Sequence, residues 1–174
     1  LRDYESDEEA LVIINGNLTV DGDVVLSGDD GFPFLFVNGN LTCDTLLNYD
    51  EFIIIKGNAA IKYAFYGNYN NGMIIIEGTT KVPYILNDEH CCEIEPEGAI
   101  IINYSSEDND WFDYNYTQKD FSRVLNKELY TIDNDGYIEF ESEKFIEFIK
   151  EDKSPFKEGV EVFTKWNIKN YLYC

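Results

Sequence analysis

Apolar residues come in short runs at a regular distance along this chain, each run followed by a polar phrase built on glycine. Leu11-Val12-Ile13-Ile14, Phe34-Leu35-Phe36-Val37, Phe52-Ile53-Ile54-Ile55 and Met73-Ile74-Ile75-Ile76 are rich in β-branched and aromatic residues, a composition that favours strands over helices. Two of the phrases are nearly identical, Ile14-Asn15-Gly16-Asn17-Leu18-Thr19-Val20 and Val37-Asn38-Gly39-Asn40-Leu41-Thr42-Cys43. Two weaker copies centre on Gly57 and Gly78, and the four glycines are 23, 18 and 21 residues apart. A period near twenty marks a stacked array whose units cannot bury their apolar faces alone. Helical repeats need longer segments of 3.6-residue period, so the pattern predicts a mainly β chain, a short right-handed parallel β-helix (β-solenoid). The glycine is expected to supply a corner with positive φ, and the neighbouring Asn to bond its own backbone or stack on the Asn of the next coil. A fifth run, Ala99-Ile100-Ile101-Ile102, lacks the glycine. Four or five coils at a strand spacing of roughly 4.8 Å give a short cylinder with ends that need covering.

The period changes after about Asp120. Phe121, Val124, Leu125 and Leu129 fall at helical spacing over 120–129, with Thr117 or Asp120 as N-cap, and Phe145, Ile146 and Ile149 do so between Ser142, read as the cap, and Lys150. Pro155 limits this second helix. Tyr137-Ile138-Glu139-Phe140 reads as a strand after the turn Asp133-Asn134-Asp135-Gly136, and Val160-Glu161-Val162-Phe163 as one more. The expected organisation is one domain, with repeats and an acidic N-terminal segment over 1–104 and an α/β cap for one end of the coil over 105–174. The polar loop Ser105 to Asn109 divides them.

Charge narrows the choice of partners. The net charge is −21, and Arg2 and Arg123 are the only arginines. Such a chain has no basic surface for phosphates, which argues against nucleic acid and anionic membrane as ligands and in favour of a cationic partner. Acids and aromatics are interleaved in Glu107-Asp108-Asn109-Asp110-Trp111-Phe112-Asp113-Tyr114-Asn115-Tyr116, the mixture that steers and anchors a cationic protein. The same loop could instead be a satellite core on the last coil.

Catalytic and metal chemistry find little support. The cysteines are Cys43, Cys91, Cys92 and Cys174, without zinc-binding spacing. Cys43 stands where Val20, Ile61 and Val82 stand in the other copies, which makes it a small core residue, and reduced thiols are expected throughout. His90, the one histidine, adjoins Cys91 and Cys92, but neighbours along an extended chain point to opposite faces. It reads as part of a turn between coils. The loop at Asp133 departs from a calcium-binding motif at its first and last ligands, Thr131 and Ser142, and reads as a type I′ or related turn. No apolar stretch reaches the roughly 20 residues of a membrane span. Leu1 in place of Met predicts residues before it, which leaves a cleaved leader open.

The Gly-Asn-Leu-Thr coils, then Tyr66-Gly67-Asn68-Tyr69-Asn70-Asn71-Gly72, then Tyr84-Ile85-Leu86-Asn87-Asp88-Glu89-His90, resemble β-helical immunity proteins of contact-dependent growth inhibition and related polymorphic toxin systems. The coils also resemble bactofilin-type, polymer-forming proteins. The first resemblance covers about residues 11–104 and implies a cytoplasmic, non-enzymatic protein without cofactor or metal. It would bind a cognate basic toxin one to one, a nuclease and first of all a ribonuclease, occluding its active site or substrate surface. Such a diverging group offers no fixed contact residues. On chemistry alone the toxin-binding candidates are Asp108, Asp110, Trp111, Asp113, Tyr114 and Tyr116, with Tyr66, Tyr69 and Asn70 as a rival loop where aromatics leave the coil. The alternatives are a structural protein that stacks end to end into filaments and, third, an enzyme acting on a sugar, which would need two well-placed carboxylates.

Overall fold

The structure, a computed structural model, describes residues 11–27, 34–69, 71–104 and 116–162. Over these residues the chain is a parallel β-solenoid of about five coils followed by two short helices. The first coil carries β1 (Leu11–Ile14), β2 (Leu18–Thr19) and β3 (Val24–Leu26), and the second β4 (Phe34–Val37) and β5 (Leu41–Tyr49). The third carries β6 (Phe52–Ile55) and β7 (Ala59–Asn68), and the fourth β8 (Met73–Lys81) and β9 (Tyr84–Asp88). The last carries β10 (Cys91–Glu97) and β11 (Ile100–Tyr104).

The long strands bend at corners, so the coil has three sides. Sheet one stacks β1, β4, β6 and the first halves of β8 and β10 in register. Sheet two stacks β2 on the first halves of β5 and β7 and on the ends of β8 and β10. Sheet three stacks β3, the second halves of β5 and β7, β9 and β11. The fifth apolar run therefore belongs to sheet three. Its equivalents are Tyr84 to Leu86, and the fifth member of sheet one is Cys91 to Glu93.

Why glycine recurs at the corner differs from the expectation. Gly16 has φ +128°, but at Gly39 a side chain is excluded because an added Cβ would lie 2.4 Å from the Gly16 carbonyl oxygen. Gly57 meets the same obstacle, 2.7 Å from the Gly39 oxygen. The adjacent asparagines do bond from coil to coil. Asn17 Oδ1 accepts from the Asn40 amide at 2.9 Å, Asn40 Oδ1 from that of Asn58 at 2.8 Å, and Asn58 Oδ1 from that of Thr79 at 2.9 Å. In the fifth coil Ile94 alone faces Ile76 to Gly78, so this corner is cut short and needs no glycine.

Inward residues Leu35, Val37, Ile53, Ile55, Phe65 and Ile74, with Cys43, fill the solenoid. Burial pushes the Cys43 thiol up to about 12, helped by Asp23 and Asp44, so it serves as a core residue.

The C-terminal elements do not sit over an end of the coil. α1 (Gln118–Val124), β12 (Tyr130–Ile132), β13 (Ile138–Phe140) and α2 (Ser142–Lys150) pack along the outer face of sheet three. Tyr84 and Tyr104 meet Phe145 and Phe121 with ring centres 5.4 and 5.5 Å apart, and Lys150 reaches Asp23 in the first coil at 2.6 Å. The reason lies in sheet three itself, whose outward Tyr66, Leu86 and Ile102 are as apolar as its inward residues and need a partner.

Local details follow from these contacts. The Asp120 carboxylate accepts from the backbone and hydroxyl of Thr117, which starts α1 as the sequence indicated. That helix ends early because Leu125 bridges Phe156 and the Asn126 amide donates to the Pro155 carbonyl at 3.0 Å. A 3-10 turn over Lys127–Leu129 follows. Glu141, not Ser142, occupies the N-cap of α2, since the Ser142 hydroxyl is engaged by Tyr66. β13 forms as read and pairs with β12. The connecting turn places Gly136 at φ +86°, with Asp133 Oδ1 accepting from the amides of Asp135 and Tyr137, a type I turn with a bulge in place of type I′. Val160 to Val162 is not a strand, and Phe163 lies outside the described residues.

Gly39→Ala should cost about 2 kcal/mol or more in urea unfolding, because backbone of the previous coil cannot yield. Gly98→Ala, at φ +68° with open space around it, should cost only about 1 kcal/mol.

Candidate interaction surface

Three residues stack where sheet three turns toward sheet one. Tyr49, Asn68 and Asp88 are in register, so Asp50, Tyr69 and Glu89 occupy equivalent positions one residue later. All three have left-handed backbones, with φ of +63°, +68° and +57°. None is glycine or asparagine, the residues that take this conformation at least cost. The corner holds them there with backbone bonds, Asp50 amide to Asn68 carbonyl at 3.2 Å and Tyr69 amide to Asp88 carbonyl at 3.0 Å. Asp50 is further fixed by Asn71, whose amide and side chain both donate to its carboxylate at 3.1 Å. The result is an acid, aromatic, acid ridge, with the Tyr69 side chain 59% exposed.

Beneath the ridge lies His90, which fills a gap in a column of asparagines. Asn48, Gly67, Asn87 and Asn103 are in register, and Asn87 donates to Asn103 at 2.7 Å. At Gly67 the missing side chain leaves room for the imidazole, since a Cβ there would come within 2.8 Å of the ring. Asn48 Nδ2 donates to the Glu51 carbonyl and lies 2.7 Å from His90 Nε2, while His90 Nδ1 lies 2.6 Å from the Tyr69 carbonyl. These partners require a neutral ring with its proton on Nδ1, donating to Tyr69. Burial accordingly holds its pKa below the usual 6.5, outweighing the backbone contact and Asp50. His90 thus ties the ridge to the interior.

Beside the ridge the outer face of sheet one carries two apolar columns. Leu11, Phe34, Phe52 and Met73 form one and Ile13, Phe36, Ile54 and Ile75 the other, ending at Cys91 and Glu93. Phe34 stacks on Phe52 at 6.5 Å, and none of the eight apolar residues belongs to either core. The far side of this face is edged by the ion pair of Lys56 and Glu77. An apolar strip between polar margins is the anatomy of a protein contact.

Of the sequence-derived candidates, Tyr69 alone among the described residues is exposed. Tyr116 is 1% exposed and stacks on Phe121 at 6.0 Å, and Tyr66 is 5% exposed under α2. Both are core residues of the sheet-three layer, because the cap needs rings to fill the space over that sheet. Tyr66 lies within β7 and not in a loop, its side chain leaving the coil to meet the C-terminal elements. Asp108, Asp110, Trp111, Asp113, Tyr114 and Asn70 lie outside the described residues. Asp50 and Glu89 were missed, although the intervals from Asp50 to Tyr69 and from Tyr69 to Glu89, 19 and 20 residues, repeat the coil period.

Other features offer less chemistry. A groove of about 760 Å³ crosses all five coils along sheet two, with Asp44, Lys62, Lys81 and Glu97 on its walls and Cys43, Ile61 and Val82 in its floor. Among the described residues no cluster of histidine, cysteine and carboxylate groups could hold a metal, and no helix is long and apolar enough to cross a membrane. Cys43 and Cys92 are free and buried, as expected of reduced thiols, whereas Cys91 is disulfide-bonded. No family model, curated protein or solved structure matches the chain.

Tyr69→Gly and Glu89→Gly should each raise stability by about 0.5–1 kcal/mol in urea unfolding, by relieving the left-handed backbone. For His90, a lowered folded pKa means stability fully present above the unfolded 6.5 and lost as pH falls through that value toward the folded one. Relative to His90→Gln, the protein should lose stability as pH falls below the ordinary histidine value of 6.5.

Proposed function

We propose that this protein is a cytoplasmic immunity protein that binds a basic protein toxin one to one and neutralises it by covering the active site or substrate surface. A nuclease, and first of all a ribonuclease, is the toxin expected, since its phosphate-binding cleft is the basic surface that carboxylates would occupy. The observation that carries the reading is the ridge of Asp50, Tyr69 and Glu89. The chain maintains three side chains in a conformation that glycine would adopt more cheaply, which favours a role for the side chains themselves. Their chemistry, two acids around an exposed ring in a chain of net charge −21, suits a cationic partner.

A second reading, end-to-end stacking into a polymer, has its own observation. Val12 aligns with the inward residues Leu35 and Ile53 yet is 47% exposed, so the first coil presents an open apolar end among the described residues.

Co-expression with the product of the adjacent open reading frame separates the two. A stoichiometric complex, with growth rescued from an otherwise lethal neighbour, supports immunity. A chain recovered alone that forms salt-dependent filaments supports the polymer. Within a complex, Glu89→Lys with Tyr69→Ala should slow association about tenfold at low salt and flatten its salt dependence. If Asp110→Lys with Asp113→Lys has that effect and the ridge variant does not, the contact lies on the loop instead.

A further inference from the structure

A cavity of about 290 Å³ lies between sheet three and β13. Tyr66, Asp88 and Tyr104 line it from the coil, and Glu139, Phe140 and Ser142 from β13 and the start of α2. Tyr69 lines it too and is exposed, so the cavity meets the surface at the ridge. Its walls combine rings with acids. Tyr104 and Phe140 meet edge to face with ring centres 5.1 Å apart, and Tyr69 adds a third ring. The carboxylates are Asp88, which is buried, and Glu139, which is exposed. The Tyr66 and Tyr104 hydroxyls bond to each other and to Ser142. Burial raises both phenols and the negative charge of Asp88 adds to the shift, so they stay neutral and the carboxylates set the sign of the cavity. None of the described residues that line it is basic.

Rings and carboxylates without a base repel anions and attract an organic cation. The volume is at the small end of ligand sites, room for one long side chain and not for a folded element. The walls favour guanidinium over ammonium, because a planar, weakly hydrated cation can stack on a ring while its five N–H donors reach carboxylate and hydroxyl oxygens together. We propose that this cavity is an anchor site for one arginine side chain of a cationic protein, with Asp88 and Glu139 meeting the guanidinium and Tyr69 covering it. The proposal rests on the reading of the partner as a basic protein and gives that contact a centre. The seated arginine is desolvated beside Tyr69, while Asp50 and Glu89 meet charges around it.

The test needs no partner, so its failure and that of the immunity reading are distinguishable. The full chain is titrated with acetyl-arginine methylamide and with the corresponding lysine and citrulline compounds, and binding is read from the NMR signals of Tyr69 and Glu139. The arginine compound should bind with a dissociation constant of about 1 mM, the lysine compound about fivefold and the neutral citrulline compound at least tenfold more weakly. Glu139→Lys, at an exposed position, should weaken arginine binding about tenfold with circular dichroism unchanged. Glu97→Lys, an equal change of charge at an exposed position on sheet two, should leave it unaltered. Citrulline binding as tightly as arginine would overturn the proposal, as would equal losses in the two lysine variants or shifts that spare Tyr69 and Glu139. Lysine binding as tightly as arginine would overturn the assignment to guanidinium. Arginine bound as expected, with no complex recovered on co-expression, would uphold the cavity and count against the toxin alone.

Discussion

Everything in this molecule depends on how closely one coil can lie on the next. At the Asn-Gly-Asn corner the backbones approach until no Cβ fits, and Asn17, Asn40 and Asn58 each give a side-chain oxygen to the amide of the following coil. Each such bond contributes only about 1 kcal/mol net, but leaving a corner amide without one would cost more. The geometry also fixes register. With the corner pinned, Leu35, Ile53 and Ile74 fall into line inside the coil, and a slip of one residue would turn every one of them outward.

The third side of the coil shows what happens when both faces of a sheet are apolar. Leu46, Phe65, Ile85 and Ile101 point inward, while Tyr66, Leu86, Ile102 and Tyr104 point outward. The cap answers the second set with Phe121, Phe140 and Phe145, whose rings meet Tyr84 and Tyr104 edge to face. Burial pushes the Tyr66 phenol up to about 12 and Tyr104 well above its ordinary value, so both stay protonated within the layer. Among the described residues, a cap laid along the side leaves the ends of the coil, sheet one and the ridge to other uses.

Sheet one and its corners were legible in the sequence over the first four coils, because each strand there is an apolar run followed by a glycine, one that sterics demand at Gly39, Gly57 and Gly78. Sheet three was not, since Ala64-Phe65-Tyr66 is buried on both faces and shows no alternation. The helices were placed correctly in type, but α1 lost its last turn to a bridge with Phe156 that no local pattern announces. At the surface, aromatic content misled. Tyr66 and Tyr116 look like anchors and are core, whereas the ridge rests on positive φ at Asp50 and Glu89, which composition does not mark. Its one trace was an interval equal to the coil period.

The shortened corner of the fifth coil gives the solenoid a polarity that bears on assembly. With Ile94 standing opposite Ile76 to Gly78, the last coil has no glycine step on which a further Gly16-type corner could seat. Head-to-tail stacking of copies would therefore lack, at this joint, the close corner contact that Gly39, Gly57 and Gly78 make with the preceding coil, and an open head-to-tail array depends on every joint being alike.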